Sequence, residues 1–76
     1  MKIEITNEHF VSSRISKDFT ITIDGDVELE FNKWSSEDDN NTEWDYEFEP
    51  ESKKVFDKLS EERQEAITEF ILDVKL

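Results

Sequence analysis

The sequence predicts an α+β fold: an antiparallel three- to four-stranded sheet covered on one face by a C-terminal helix or two short helices. Three observations predict it. Large apolar residues alternate with polar ones in three runs between 18 and 49. An Asp-Gly pair, containing the chain's one glycine, separates the first two runs. After Pro50 the apolar period lengthens to that of a helix.

Taken in order, Lys2 to Thr6 reads K-I-E-I-T, with Ile3 and Ile5 on one face, and predicts a short N-terminal strand. Asn7 to Ser16 holds Phe10, Val11 and Ile15 without a period and is expected to be a loop or irregular crossing. Phe19, Ile21 and Ile23 alternate with Thr20 and Thr22, predicting a strand over 18–23. Val27, Leu29 and Phe31 alternate with Glu28, Glu30 and Asn32, predicting the next over 27–33. Asp24-Gly25-Asp26 between them is a hairpin signal, because glycine reaches positive φ without steric cost. A three-residue loop sets Ile23 opposite Val27 and keeps the apolar side chains on one face, so it is preferred to a two-residue loop.

Ser35 to Thr42 carries no large apolar residue and is expected to be an exposed loop. Trp44, Tyr46 and Phe48 then alternate with Glu43, Asp45, Glu47 and Glu49, which predicts a strand over 43–49. Pro50 ends it, since proline cannot donate to a ladder. In the remainder, Val55, Phe56, Leu59, Ala66, Ile67, Phe70, Ile71 and Val74 fall on one helical stripe, and Leu72 falls off it. One helix over 51–75 would run ~37 Å at ~1.5 Å per residue, against ~20–23 Å for the strands. Ser60 before Glu61 and Glu62 reads as an N-cap with acids in the first turn, so a short helix and a longer one are expected. The expected core is Phe19, Ile21, Ile23, Leu29, Phe31, Tyr46, Phe48, Phe56, Leu59, Ile67, Phe70 and Ile71. Trp44 is in phase with Tyr46 and Phe48 and is expected to join it. Trp34 breaks the phase of Val27, Leu29 and Phe31 and is expected to be partly exposed.

The 76 residues suit a single small domain, 1–76, with an acidic hairpin and strand region at 24–51 and a helical region at 51–75. A chain of this size buries little more than ~60% of its unfolded surface, enough for one thin core. There are no cysteines, so no disulfide or thiolate metal site is available. No apolar run is long enough for a secretory h-region or a membrane span, and a cytoplasmic location is expected.

Charge is the feature that points beyond the fold. Twelve acids lie between Asp24 and Glu51 against one base, Lys33, which accounts for −11 of the formal −12. The other nine acids and eight bases nearly cancel. Concentrating one sign costs folding free energy and sets up a field suited to a cationic partner. Residues i and i+2 of a strand stand ~6.6–6.8 Å apart on one face. Glu28 and Glu30 should then form one outward row, with Glu43, Asp45, Glu47 and Glu49 in the neighbouring row. Glu37, Asp38 and Asp39 extend the patch through the connecting loop. These nine acids are the expected partner-binding residues. Like charges on adjacent strands repel, and no compensation for that cost is evident in the sequence. Glutamates on an edge strand also guard against aggregation, a purely structural use of the same residues.

Other chemistry is weakly represented. Asp24, Asp26 and Glu28 have a spacing that suits oxygen ligation, but Leu29 stands where a calcium loop needs glycine. Asp38, Asp39, Asn40 and Glu43 also form an oxygen-rich run, yet no metal or other cofactor is expected. His9 is the one histidine, and no serine has a motif that would make it a nucleophile. The chain is expected to be no enzyme, having too little mass for a water-excluding cleft. Direct nucleic-acid or membrane binding is disfavoured by the charge.

In size, charge and the acidic-sheet-plus-helix plan, carried by the Asp24–Glu51 pattern, the chain resembles the small DNA-mimic inhibitors of phages and mobile elements. These include anti-CRISPR, anti-restriction and uracil-DNA glycosylase inhibitor proteins. The resemblance is one of composition and charge pattern, with no shared motif. It implies a viral-type inhibitor acting in the host cytoplasm on a basic nucleic-acid-binding protein, a nuclease or a CRISPR or restriction component, as a monomer or small homo-oligomer. Acidic immunity proteins and antitoxins that neutralise a basic nuclease are similar in character. An adaptor module binding through an apolar surface is the alternative from another class.

Overall fold

Ile23 and Val27 face each other across a turn made of Asp24, Gly25 and Asp26. Asp24 and Gly25 have φ of 53° and 76°, and the Asp26 N–H donates to the Ile23 carbonyl at 3.1 Å. Positive φ at both central residues suits Asp-Gly, and its twist matches that of the strands it joins. The turn links β2 (Ser16–Ile23) to β3 (Val27–Asp38). The computed structural model describes residues 1–10, 16–38 and 41–74, and of 36–38 and 41–43 the backbone only. Within these, β1 (Ile3–Phe10) and β4 (Asn41–Phe48) complete an antiparallel four-stranded sheet in the order β1-β2-β3-β4.

All four strands outrun their sequence signals at one end. β1 continues to Phe10, where a loop or irregular crossing is expected from Asn7 onward. A bulge between Ile5 and Asn7 explains the missing period: it shifts the register, so Ile3 and Ile5 share a face with Glu8 and Phe10 rather than with Asn7 and His9. β2 begins at Ser16, two residues before the alternation does; residues 11–15, with Val11 and Ile15, lie outside the described residues. β3 and β4 remain paired through Asp38↔Asn41, so most of the expected loop Ser35–Thr42 is ladder. Backbone groups carry that pairing, and alternation, which reports burial, is silent there.

Pro50 opens α1 (Pro50–Asp57) at its first turn, where a missing N–H costs nothing. A break follows, and α2 (Glu61–Asp73) starts at Ser60, whose Oγ accepts the Arg63 N–H at 3.3 Å. Gln64 Nε2 donates to the carbonyls of Phe56 and Leu59 at 2.9 and 3.2 Å, closing the open end of α1.

Both helices lie on one face of the sheet. Phe19, Ile21, Ile23, Leu29 and Phe31 are sealed beneath Ile67 and Ile71. Tyr46, Phe48, Phe56, Leu59 and Phe70, expected to be buried, are partly so and pack around that centre. Phe48 and Phe56 join β4 to α1 with ring centroids 4.8 Å apart. Two expectations fail at the periphery. Trp44 stands opposite Ser35 on the helix side but is 46% exposed. Val55, on the predicted helical stripe, is also exposed, as is Leu72, which falls off it.

Candidate functional site

In an antiparallel ladder, directly opposed residues share a face, so the register sorts every described strand residue by side. Phe19, Ile21, Ile23, Leu29 and Phe31 face the helices. Thr20, Thr22, Glu28, Glu30, Asn32, Asp45 and Glu47 therefore face away from them. Glu28, Glu30, Asp45, Glu47 and Glu49 are all exposed, as the alternation predicts. Glu37, Asp38 and Glu43 lie in the strand backbone at Glu37↔Thr42, Asp38↔Asn41 and Ser36↔Glu43, and Asp39 is outside the described residues.

Two acids missed by the sequence reading belong to this face. Glu4 stands opposite Thr22, and Asp18 opposite His9 and Asn32. The parity of Thr20 and Thr22 would have placed Asp18, and that of Ile3 and Ile5 would have placed Glu4. Asn32 sits among them and donates from Nδ2 to Asp18 Oδ1 at 3.0 Å and to the Lys17 carbonyl at 3.2 Å. Among the described residues, Glu28, Glu30, Asp45, Glu47 and Glu49 take part in no ion pair, and the only cation that reaches an acid of this face is Lys2, 2.8 Å from Glu4. That contact raises the Lys2 pKa, through the hydrogen bond first and the charge second.

The rows of acids are not side by side, contrary to expectation. Thr22 faces Glu28, Thr20 faces Glu30, Asn32 faces Glu47 and Trp34 faces Asp45. Among the described side chains, the outward acids of β3, Glu28 and Glu30, lie in its first half, and Asp45 and Glu47 of β4 lie against its second half. Among the described side chains, the two rows meet only where the Glu49 N–H donates to the Glu30 carbonyl at 3.0 Å. The Glu30 N–H is taken by Ser52 Oγ of α1 at 2.7 Å, so the corner is fixed through backbone groups. Staggering is thus the compensation that the sequence did not reveal. It spreads like charges across a diagonal band.

Asp45 does a second job. The Glu49–Glu30 bond fixes the ladder phase, which leaves the Tyr46 N–H pointing to the open edge of β4. Asp45 Oδ1 accepts it at 2.8 Å. The edge donor is closed off, as protected edge strands require.

Lys33, the one base within the acidic stretch, projects from the opposite, helix-covered side of the sheet. It is 3% exposed. Its Nζ donates to the carbonyls of Ile71, Leu72 and Val74 at 2.9, 3.0 and 2.8 Å. α2 has no basic residue in its own last turn, and Lys33 supplies the charge that the carbonyl end attracts. Burial lowers the Lys33 pKa, and Asp73 partly opposes that shift. Lys17, directly across from Lys33, is drawn off to Glu8 at 3.3 Å and lies 4.6 Å from the centroid of Phe10.

Among the described residues, no cluster of three or more His, Cys, Asp or Glu side chains could hold a metal ion, and no helix is long and apolar enough to cross a membrane. Comparison of the chain with protein families, curated proteins and solved structures returned no match.

Proposed function

We propose that the chain is a non-enzymatic inhibitor, acting in a cytoplasm, whose outward sheet face occupies the basic nucleic-acid-binding groove of another protein. One observation carries this reading. Five exposed carboxylates, Glu28, Glu30, Asp45, Glu47 and Glu49, share a face, while the only base of their sequence stretch is buried on the opposite side. Nucleic acid presents negative charge at regular intervals, and arginine forks engage carboxylate and phosphate through the same bidentate geometry. A staggered band of carboxylates gives such a groove an alternative ligand. Association is fast and salt-sensitive, and the bound face occludes nucleic acid.

The test begins with a pull-down at low and high salt, followed by competition between this chain and nucleic acid for the captured protein. The triple variant Glu30→Lys, Asp45→Lys, Glu47→Lys should fold and lose competition by at least about a hundredfold, as desolvated interfacial charge pairs lose several kcal/mol. Equal competition by that variant would end the reading. So would a captured protein that still takes up nucleic acid unhindered. A second reading, an adaptor that docks through its helix side, draws on Phe10 and Leu72, 62% and 58% exposed. It predicts capture that survives high salt and the triple reversal.

A further inference from the structure

Trp34 is out of place on the face it occupies. Its register partners are Ser16 on β2 and Asp45 on β4, and Asn32 precedes it in the same row. Asp18 and Glu47 stand at the diagonal positions, ~7–8 Å away by strand geometry. Every other described outward position is Glu, Asp, Asn, Thr, Ser or His. The indole is half-buried and has no part in the apolar core. The fold uses rings for its own cations elsewhere: Lys17 over Phe10 and Phe19, Lys33 over Trp44, and Lys53 over Phe56. Among the described residues none of these contacts involves Trp34.

We propose that Trp34 is the arginine-binding anchor of the acidic face: a partner's guanidinium stacks on the indole and directs its N–H fork to Asp45 or Glu47. The proposal rests on the reading of this face as a binding surface and names the side chain it selects. Tryptophan is the strongest of the aromatic cation acceptors. A planar, weakly hydrated guanidinium can stack and still donate in its own plane, whereas an ammonium makes one contact at the cost of the other. Carboxylates alone already give arginine some advantage through bidentate forks. A ring set among carboxylates widens it.

The experiment titrates the full chain with hexa-arginine and with hexa-lysine at fixed ionic strength, followed by calorimetry. The wild type should bind hexa-arginine about three- to tenfold more tightly, the range a cation–π contact supplies. Trp34→Leu should lose affinity for hexa-arginine and keep it for hexa-lysine, leaving only the smaller preference that bidentate carboxylate pairing supplies. Trp34→Phe, with a weaker ring, should keep part of the preference and guards against a folding artefact. Trp44→Leu should keep all of it. A wild type that binds both peptides alike, or neither, overturns the proposal, as does a preference undiminished in Trp34→Leu. The triple reversal of Glu30, Asp45 and Glu47 should weaken both peptides together. If it weakens neither while Trp34→Leu removes the preference, the carboxylate reading fails and the anchor stands.

Discussion

Replacing Glu30 with Gln should stabilise the fold, by an amount set by its non-local neighbours. Glu28, two residues away, stays about equally close in the unfolded chain, so its repulsion largely cancels. Three other acids come near only on folding. Glu49 stands next to Glu30 across the strands, held by the 3.0 Å backbone bond, and residues so placed have Cβ atoms ~5.5 Å apart, taken as the charge separation. Asp18 and Glu47 are diagonal neighbours at ~7–8 Å. In water, Coulomb's law gives ~0.75 kcal/mol for the first and ~0.55 for each of the others. Screening over ~30 Å at 10 mM salt leaves a total of about 1.5 kcal/mol, and over ~8 Å at physiological salt about 0.8. A chain this small has a urea m-value of ~1 kcal/mol/M, so the midpoint should rise by about 1.5 M and 0.8 M urea at the two salts. Urea denaturation of both proteins, followed by circular dichroism, reads this directly. A variant that unfolds at the wild-type midpoint in 10 mM salt, or a gap that widens with salt, would refute the idea that these acids repel.

Other predictions concern the groups that fix the face. Lys33→Met removes the donor shared by three carbonyls and should cost about 1–3 kcal/mol at neutral pH, measured by chemical denaturation. Because burial lowers the Lys33 pKa, the folded protein releases this proton at a lower pH than the unfolded chain does. The wild type should therefore gain stability relative to Lys33→Met as pH rises toward 10.5, and a flat or falling difference would contradict the shift. Ser52→Ala leaves the Glu30 N–H without its partner and should cost about 1–2 kcal/mol, with faster hydrogen exchange at that amide.

The sequence revealed most where one face of an element is buried. Phe19, Ile21 and Ile23 against Val27, Leu29 and Phe31 gave strand, turn length and register together, since a slip by one residue would put every side chain on the wrong face. Ser60 marked the break between the helices because a capping hydroxyl is a local device. Legibility failed where the information is non-local. The bulge after Ile5 hid the second half of β1, and the pairing of Ser35–Asp38 leaves no apolar signature. Trp44 has the right phase for the core, yet phase does not say where the helices stop. The candidate face was legible as a set of outward acids but not in its layout. The half-strand offset depends on which residue of β4 meets which of β3, and Lys33 reads as one more surface charge until α2 is seen to end beside it.

Lys33 and Trp34 are adjacent in the chain and lie on opposite sides of the sheet. Their placement depends on the parity of a residue's position in β3, so a single inserted or deleted residue between Phe31 and Lys33 would put the ammonium among the acids and the indole among the helices. Substitution has the contrary consequence. The seven sealed side chains all project from the helix side or from α2 itself, and none of the outward residues touches them as part of that core. Outward residues other than Asp45, which closes the edge, and Asn32, which bonds Asp18 and the Lys17 carbonyl, can change while the inward residues keep the core. A face kept apart from the core can be altered in charge with its cost confined to the repulsions and bonds on that face.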